Sequence, residues 1–326
     1  MSQRLKVLFL PLPGLFERWG SDVVAAVTKN HDLRIADYDK PLAPQFEGID
    51  AVIDHGGSVG TREMVDIAAS GKVQHWQILG TGFDHFDLEY WKAKGMPTSN
   101  CPGAFSAVAL ADCAMMFILM LARRYQESKE VLNSGKLYRP MGAEMEGWKL
   151  GILGLGASGI ELARRAPGFG MKTLAIDIRD VGPDEVNELG LEFAGKPSDM
   201  DDVIAQSDIV SLHLHLNQET RHIIDERRLK LMKSSAFLIN VSRGELVDEA
   251  ALERALVEGW IGGAGIDVFS QEPPDLSDAI FRLPNAVTTP HIAGVTDGTA
   301  RKRAACAAEN LDRIAAGLEP LYRIDQ

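Results

Sequence analysis

Two α/β domains, each built on a parallel β-sheet, are the fold that this sequence predicts. The chain has 326 residues, more than one typical domain holds. Short apolar segments alternate with helical patterns along its length, as in parallel β/α units. A segment rich in proline, asparagine and glycine at 97–103 interrupts this alternation and predicts a boundary. No internal repeat, low-complexity tract or long linker appears, so two domains account for the length.

The first hundred residues predict a sheet whose strands are separated by helices. Helical patterns cover 20–28 and 62–69. A proline follows the first apolar run at once, so this run predicts a β-strand and not the hydrophobic segment of a secretory signal. The strands are expected at 6–10, 34–36, 51–54 and 74–79.

The rest of the chain predicts a long apolar helix at 106–124, a second β/α series, and a final helix at 296–316. Its longest apolar stretch, 113–122, is too short to span a membrane. The methionines of this helix favour a packed core or a subunit interface over a cofactor site. These are Met115, Met116 and Met120. Strands of the second series are expected at 150–153, 172–176, 209–214, 236–240, 263–267 and 286–288.

Composition argues against several kinds of function. The net charge of -12 argues against a nucleic-acid partner, because phosphate binding needs a basic surface. Cys101, Cys113 and Cys306 are far apart and form no Cys/His cluster, which predicts no metal site and a reducing compartment. We therefore expect a cytoplasmic protein with neither a nucleic-acid nor a membrane partner.

A glycine-rich motif predicts a dinucleotide site. The sequence GLGASG at 154–159 follows a predicted strand and opens a helical segment at 157–165. In this Rossmann arrangement, Gly154 allows a tight turn, Gly156 lets the backbone approach a pyrophosphate, and Gly159 permits close helix–strand packing. The helix N-terminus, including Ala157 and Ser158, presents free N–H groups to the phosphates. A glycine-rich turn without a ligand, or one that binds S-adenosylmethionine, would share the motif.

The residue that selects the cofactor is expected to be Asp177, which closes the next strand 18 residues beyond Gly159. A carboxylate there accepts hydrogen bonds from the ribose hydroxyls and repels a 2′-phosphate. Arg179 lies nearby and would suit NADP, but Asp177 and Asp180 flank it. The sequence thus favours NAD over NADP.

Three later segments, each at the end of a predicted strand, contribute Arg243, Glu272 and His291. Taken one at a time, the arginine would suit a surface ion pair, the glutamate a solvated loop and the histidine a packing role. Together they suit reduction of a 2-oxo acid: a guanidinium binds the carboxylate and polarises the carbonyl. A histidine protonates the oxygen that receives charge, and a carboxylate orients the imidazole and favours its protonated form.

The ordered motifs VSRG at 241–244, DVFSQEP at 267–273 and PHIAG at 290–294 resemble those of the D-isomer-specific 2-hydroxyacid dehydrogenases. The resemblance runs from about residue 73 to 298 and includes GTGFD at 80–84 and Ala111-Asp112. The first seventy residues match only in their β/α rhythm.

Several residue roles follow from this resemblance. Arg243 would bind and activate the substrate, His291 would be the acid/base, and Glu272 would support the histidine. Asp267 would hold the nicotinamide carboxamide. Backbone amides near Thr81 and Gly82 would meet the substrate carboxylate. The remaining NAD-binding positions that the resemblance implies are His213, Val241, Ser242 and Gly294.

The resemblance also implies an architecture. It predicts two flavodoxin/Rossmann-like domains with the active site in the cleft between them. The substrate-binding domain would be discontinuous, comprising 1–99 and 296–326, and the NAD-binding domain would cover 100–295. Members of the family are usually homodimers, with the apolar helix and the arm that follows it at the interface.

Three positions depart from the family pattern. His215 stands where many members have proline, which suits an exposed loop histidine better than a special role. Lys149 follows Trp148 where the family more often has a Gly-Lys pair, and this difference is expected to affect packing alone. Pro167 should end the glycine-loop helix slightly early.

Two features of the sequence bear on the substrate. Glu272, in place of glutamine, disfavours a formate dehydrogenase, and the small residues at 55–58 resemble the family's substrate-pocket loop. Glyoxylate or hydroxypyruvate is the first expectation, on family frequency. Two other classes stay open: an NAD(H)-sensing corepressor or scaffold on the same fold, and a methyltransferase.

Overall fold

The computed structural model describes residues 3–12, 19–55, 60–83 and 86–326. Gly56, Gly57, Ser58 and Asp84, which the sequence motifs include, lie outside the described residues. The chain forms two compact units, one of Met1–Phe105 with Thr296–Gln326, the other of Ser106–Val295.

The first unit contains a five-stranded parallel sheet in the order β2-β1-β3-β4-β5. This is the flavodoxin-like strand order. Strands β1, β3 and β4 are almost entirely buried, because helices cover both faces of the sheet. The strands are β1 (Lys6–Leu10), β2 (Asp32–Ile35), β3 (Ala51–Asp54), β4 (Trp76–Ile78) and β5 (Thr98–Ser99). The helices are α1 (Ser21–Val27), α2 (Arg62–Ser70), α3 (Leu88–Ala93) and the last helix of the chain, α11 (Asp297–Ala315).

The second unit contains a seven-stranded parallel sheet in the order β12-β11-β10-β9-β6-β7-β8. The strand order reverses between β6 and β9, so their carboxyl ends flank the switch point where such sheets bind ligands. The strands are β6 (Lys149–Leu153), β7 (Lys172–Ile176), β8 (Leu191–Gly195), β9 (Ile209–Leu212), β10 (Phe237–Asn240), β11 (Gly263–Ile266) and β12 (Ala286–Thr288). The helices are α4 (Ala107–Ala122), α5 (Tyr125–Asn133), α6 (Ala157–Arg165), α7 (Pro183–Leu189), α8 (Met200–Gln206), α9 (Glu226–Leu231) and α10 (Glu249–Glu258).

The apolar helix α4 is a central packing element of the second unit. It lies against α6 and against β10, β11 and β12. Its approach to β11 requires Gly265, because a Cβ there would lie 2.5 Å from the Cβ of Phe117. In the described ranges, no helix is both long enough and apolar enough to cross a membrane.

Two α/β domains with parallel sheets confirm the predicted fold class, with a few differences in detail. The segment at 97–103 holds β5, and the first unit continues to Phe105. Strands β5 and β8 were not predicted, because β5 has two residues and β8 is an edge strand with exposed Glu192. The glycine-loop helix ends at Arg165, and a 3₁₀ turn containing Pro167 follows, as predicted.

Candidate active site

Two glycines of the loop after β6 are required by the protein's own packing. Gly154 has a φ of 99°, and a Cβ on it would lie 2.4 Å from the carbonyl oxygen of His213. A Cβ on Gly159 would lie 2.1 Å from the carbonyl oxygen of Gly154. Both glycines therefore let helix α6 and the end of β9 approach the loop.

Gly156 differs from its two neighbours in the motif. A Cβ built on it would meet no described atom within 4 Å, so packing alone does not explain a glycine there. It immediately precedes α6, where it offers no capping side chain to the helix amides. Open space over the free N–H groups of a helix N-terminus fits close approach of a pyrophosphate. The loop therefore fits the phosphates of NAD, with Ala157 and Ser158 beginning the helix.

Asp177 ties the end of β7 to the glycine loop. Its carboxylate accepts hydrogen bonds from the backbone N–H of Leu155 at 2.6 Å and of Arg179 at 2.9 Å. The guanidinium of Arg179 pairs with Glu185 at 2.6 and 2.7 Å and donates to the carbonyl of Leu155. This pair raises the pKa of Arg179 and lowers that of Glu185. Arg179, which follows Asp177 by two residues, is thus paired with a carboxylate of α7.

His213 links the ends of two elements at the switch point. Its Nε2 lies 2.9 Å from Oγ of Ser211, and its Nδ1 lies 2.9 Å from Oγ of Ser158 at the start of α6. Burial lowers the pKa of His213 to about 4, so the imidazole is neutral at physiological pH. Ser158 thus has a structural partner besides any phosphate. His215, in contrast, is exposed.

Val241 and Ser242 follow β10 and are both buried. The hydroxyl of Ser242 donates a 2.7 Å hydrogen bond to the carbonyl of Leu212, the last residue of β9. These two residues therefore join the carboxyl ends of neighbouring strands. They lie near His213, at the edge of the sheet where the sequence predicts the cofactor site.

The structure brings His291 and Glu272 together. Nδ1 of His291 lies 2.8 Å from Oε2 of Glu272, whose Oε1 accepts from the backbone N–H of Phe269 at 3.1 Å. Burial alone would raise the pKa of Glu272, but the hydrogen bond and charge of His291, the Phe269 amide and the charge of Arg243 lower it overall. The glutamate is therefore ionised, and the second ring nitrogen of His291, Nε2, points away from it.

Arg243 is positioned by the loop that carries Glu272. Its neighbour Gly244 packs on the backbone of Phe269 so closely that a Cβ would lie 2.0 Å from that carbonyl carbon. The guanidinium donates to the carbonyl of Ser242 at 2.7 Å, and the arginine carbonyl accepts from Asn240 at 2.8 Å. The VSRG and DVFSQEP segments are thus held together at the same edge of the sheet.

Asp267 has a role that the sequence did not reveal. Its buried carboxylate accepts hydrogen bonds from the backbone N–H groups of Ile292 at 2.8 Å and Ala293 at 2.7 Å, and from the hydroxyl of Thr289 at 2.5 Å. Burial raises its pKa, against these hydrogen bonds. His291 lies within the segment so held, and its φ of 54° is in the left-handed region. Asp267 therefore anchors the loop that presents His291.

The remaining candidate residues lie in different units: Gly294 in the second, and Thr81 and Gly82 in the first. Gly294 follows the anchored segment and is partly exposed. Thr81 and Gly82 belong to the first unit and follow β4. The carbonyl of Thr81 accepts a 2.8 Å hydrogen bond from Asn100, which holds this segment against the loop after β5. Among the described residues, no group of three or more His, Cys, Asp or Glu side chains is placed to hold a metal ion.

A parallel sheet with a dinucleotide loop at its switch point, beside an arginine and a histidine–glutamate pair, defines a class of nicotinamide-dependent oxidoreductases. Residues 115–293 match the family model described as D-isomer specific 2-hydroxyacid dehydrogenase, NAD binding domain. This range is more than half of the chain. The chain belongs to the D-isomer-specific 2-hydroxyacid dehydrogenase family.

Individual relatives agree with this assignment. The chain is 39% identical to a glyoxylate reductase of Korarchaeum cryptofilum over 252 residues, 75% of this chain and 74% of that one. It is 38% identical to a glyoxylate reductase of Aeropyrum pernix over 313 residues, 92% and 91% of the two chains. Among solved structures, an NAD-complexed D-isomer specific 2-hydroxyacid dehydrogenase from Lactobacillus delbrueckii ssp. bulgaricus is similar, with a TM-score of 0.84, 26% identity and coverage of 98% and 100%.

The protein is therefore an NAD-linked oxidoreductase that interconverts a 2-oxo acid and a D-2-hydroxy acid. The predicted family and enzyme class are confirmed. The corepressor or scaffold alternative is not favoured, and the methyltransferase interpretation of the glycine motif is not needed.

Proposed function

We propose that this enzyme reduces a short 2-oxo acid with NADH, and that Arg243, Glu272 and His291 carry the reaction. The observation that supports this most strongly is the 2.8 Å hydrogen bond between His291 and Glu272 beside Arg243, in a loop anchored by Asp267. A glutamate that stays ionised accepts the hydrogen bond from Nδ1 and so orients the imidazole for proton donation through Nε2.

The three side chains have separate tasks. Arg243 binds the substrate carboxylate and polarises the adjacent carbonyl through its guanidinium. NADH, when bound, supplies the hydride to the carbonyl carbon. His291 donates the proton at Nε2 to the carbonyl oxygen as that oxygen gains charge, and in the reverse reaction it removes the hydroxyl proton. Positioned acid–base catalysis of this kind contributes about 10²–10⁴-fold in rate.

The second unit is proposed to bind NAD, with the pyrophosphate at Gly156 and the adenosine ribose near Asp177. NADH is preferred over NADPH for two reasons. A 2′-phosphate would approach the carboxylate of Asp177, and Arg179 is already paired with Glu185 at 2.6 Å. Replacing Asp177 with serine should raise the ratio of NADPH to NADH activity, whereas replacing exposed Asp180 should leave it unchanged.

The first unit is proposed to bind substrate through backbone amides near Thr81 and Gly82. Glyoxylate and hydroxypyruvate are the proposed starting substrates, because several relatives at 36–40% identity are glyoxylate reductases. Consumption of NADH, and separately of NADPH, with a panel of 2-oxo acids tests this proposal. Faster NADPH consumption would contradict the cofactor preference, and turnover only of long apolar acids would contradict the substrate class.

A cytoplasmic homodimer is the proposed assembly. Apolar side chains of α5 and of the segment that follows it are strongly exposed, which is unusual for a monomer surface. They are Leu132, Leu137, Tyr138 and Met141. Sedimentation analysis of the wild-type protein and of Leu137→Glu tests the dimer. A wild-type protein that sediments as a monomer at micromolar concentration would contradict it.

A further inference from the structure

A buried arginine in the first unit is not used by the proposed reaction. Arg303 lies on α11, and only 8% of its surface is exposed. Its Nη2 donates a long 3.4 Å hydrogen bond to Oγ1 of Thr81, and its Cζ lies 5.0 Å from the centre of the Trp19 ring. Its Nε has no hydrogen-bond partner among the described residues, and none of their carboxylates forms an ion pair with it.

A second buried donor lies in the same neighbourhood. The ring of His55 is centred 5.3 Å from that of Trp19, and its Nδ1 accepts the backbone N–H of Leu12 at 3.2 Å. Burial, with a smaller contribution from the charge of Arg303, lowers the pKa of His55 to about 4. The imidazole is therefore neutral with its proton on Nε2, and this atom too has no hydrogen-bond partner in the described part of the chain.

Burying these two groups without partners lowers the stability of the folded protein. A buried charge without a counter-ion and a buried N–H without an acceptor both lose hydration that nothing replaces. Such groups call for an explanation when they occur in a native protein, and a site for an anion is one. Among the described residues, both groups lack an acceptor, and the guanidinium also lacks a carboxylate partner. Both side chains contact Trp19, and Arg303 reaches Thr81, which begins the proposed substrate-carboxylate segment.

We propose that Arg303 and His55 form an anion subsite that binds a second carboxylate of the substrate, so that the enzyme prefers 2-oxo dicarboxylic acids over monocarboxylic acids of equal chain length. This inference rests on the proposed 2-oxo acid reduction and names its substrate class. Trp19 is partly exposed and its ring lies next to both side chains, so the proposed subsite borders a side chain that solvent reaches.

The test compares substrates that differ only at the far end. Oxaloacetate is matched with 2-oxobutyrate, and 2-oxoglutarate with 2-oxovalerate, and kcat/KM is measured for each with NADH. The wild-type enzyme should favour the dicarboxylate of at least one pair by about tenfold or more, because a buried ionic contact discriminates strongly against a methyl group. Arg303→Met should abolish this preference, because kcat/KM for the dicarboxylate falls by at least about tenfold more than kcat/KM for the matched monocarboxylate. Arg301→Met, on the exposed side of the same helix, should leave the preference intact.

Binding of a carboxylate at the subsite is measured separately from turnover, by thermal unfolding. Succinate should stabilise the wild-type protein against thermal unfolding more than butyrate does, and this difference should disappear in Arg303→Met. If the wild-type enzyme turns over the monocarboxylates as well as or better than the matched dicarboxylates, the subsite is overturned. This comparison uses the wild-type enzyme alone, so it does not depend on whether a variant folds. Failure of every 2-oxo acid to oxidise NADH overturns the proposed function instead. In that case, a succinate stabilisation that depends on Arg303 still supports the subsite, and its absence overturns it.

Discussion

Nδ1 of His291 lies 2.8 Å from Oε2 of Glu272, and the loop that presents the histidine is held by the buried carboxylate of Asp267. Two carboxylates thus act on one imidazole in different ways. Glu272 contacts the ring directly, whereas Asp267 holds the loop through the hydroxyl of Thr289 before the histidine and the backbone N–H groups of Ile292 and Ala293 after it. Their substitutions should therefore have different effects.

Replacing Glu272 with glutamine should lower kcat by about 10–100-fold, with NADH affinity unchanged. The amide oxygen can still accept from Nδ1, but the negative charge next to the imidazole, which assists proton transfer in both directions, is lost. Because the pKa of Glu272 is lowered below its ordinary value of 4.5 in the folded protein, more than half of the carboxylates keep their charge at pH 4.5. Loss of wild-type kcat through this group should therefore be less than half complete at that pH. Steady-state kinetics with Asp275→Asn as an exposed control checks this, and an unchanged kcat in Glu272→Gln would remove the glutamate from the mechanism.

Replacing Asp267 with asparagine should lower both stability and activity. An amide NH₂ would face either the Ala293 N–H or the Ile292 N–H, so at least one buried donor would lose its acceptor. The expected cost is about 1–3 kcal/mol of unfolding free energy. Thermal unfolding and kcat, compared with those of exposed Asp278→Asn, measure the effect. A variant with wild-type stability would show that the carboxylate does not anchor the loop.

Alanine substitutions of two glycines should separate cofactor binding from folding. Gly159→Ala should destabilise the protein, because the new Cβ would lie 2.1 Å from a carbonyl oxygen. Gly156→Ala should keep the wild-type melting temperature but weaken NADH binding about tenfold or more, since its Cβ meets only the space proposed for the pyrophosphate. Gly168→Ala, which also meets open space outside the loop, is the control. Undiminished NADH affinity in Gly156→Ala would argue against the proposed phosphate position.

His213 should make the protein sensitive to acid. Its pKa of about 4 lies below the ordinary 6.5, so between these values the unfolded chain binds a proton that the folded protein excludes. Stability therefore falls as pH falls through this window, by up to about 3 kcal/mol. His213→Gln keeps partners for Ser211 and Ser158, and its melting temperature should fall less between pH 6.5 and 4 than that of the wild type. Exposed His215→Gln is the control, and identical slopes in all three proteins would contradict the assignment.

The sequence predicted the β/α alternation and most strands well, because buried parallel strands are short uninterrupted apolar runs. β3, β7 and β12 occur at the predicted residues. Edge strand β8 was missed because its sequence, LEFAG, contains Glu192 and Gly195 and so lacks such a run. The motif glycines and the Arg/Glu/His set were also visible in the sequence, because their spacing relative to strand ends is regular.

Contacts between distant side chains could not be read in the same way. Nothing in the local sequence indicates that Asp267 accepts from residues 25 and 26 positions later, or that Gly244 packs on Phe269. Arg303 was equally hidden, because a helical arginine is usually solvated. Only the packed structure shows that this one is buried beside Thr81.

The most direct test of the central claim is the oxidation of NADH by hydroxypyruvate in the presence of the pure enzyme, with the configuration of the product determined. We predict rapid, enzyme-dependent loss of NADH with formation of the D-2-hydroxy acid, and loss of this activity in His291→Ala without loss of NADH binding. Formation of the L-acid, or wild-type turnover by His291→Ala, would contradict the proposed reaction and its acid/base residue.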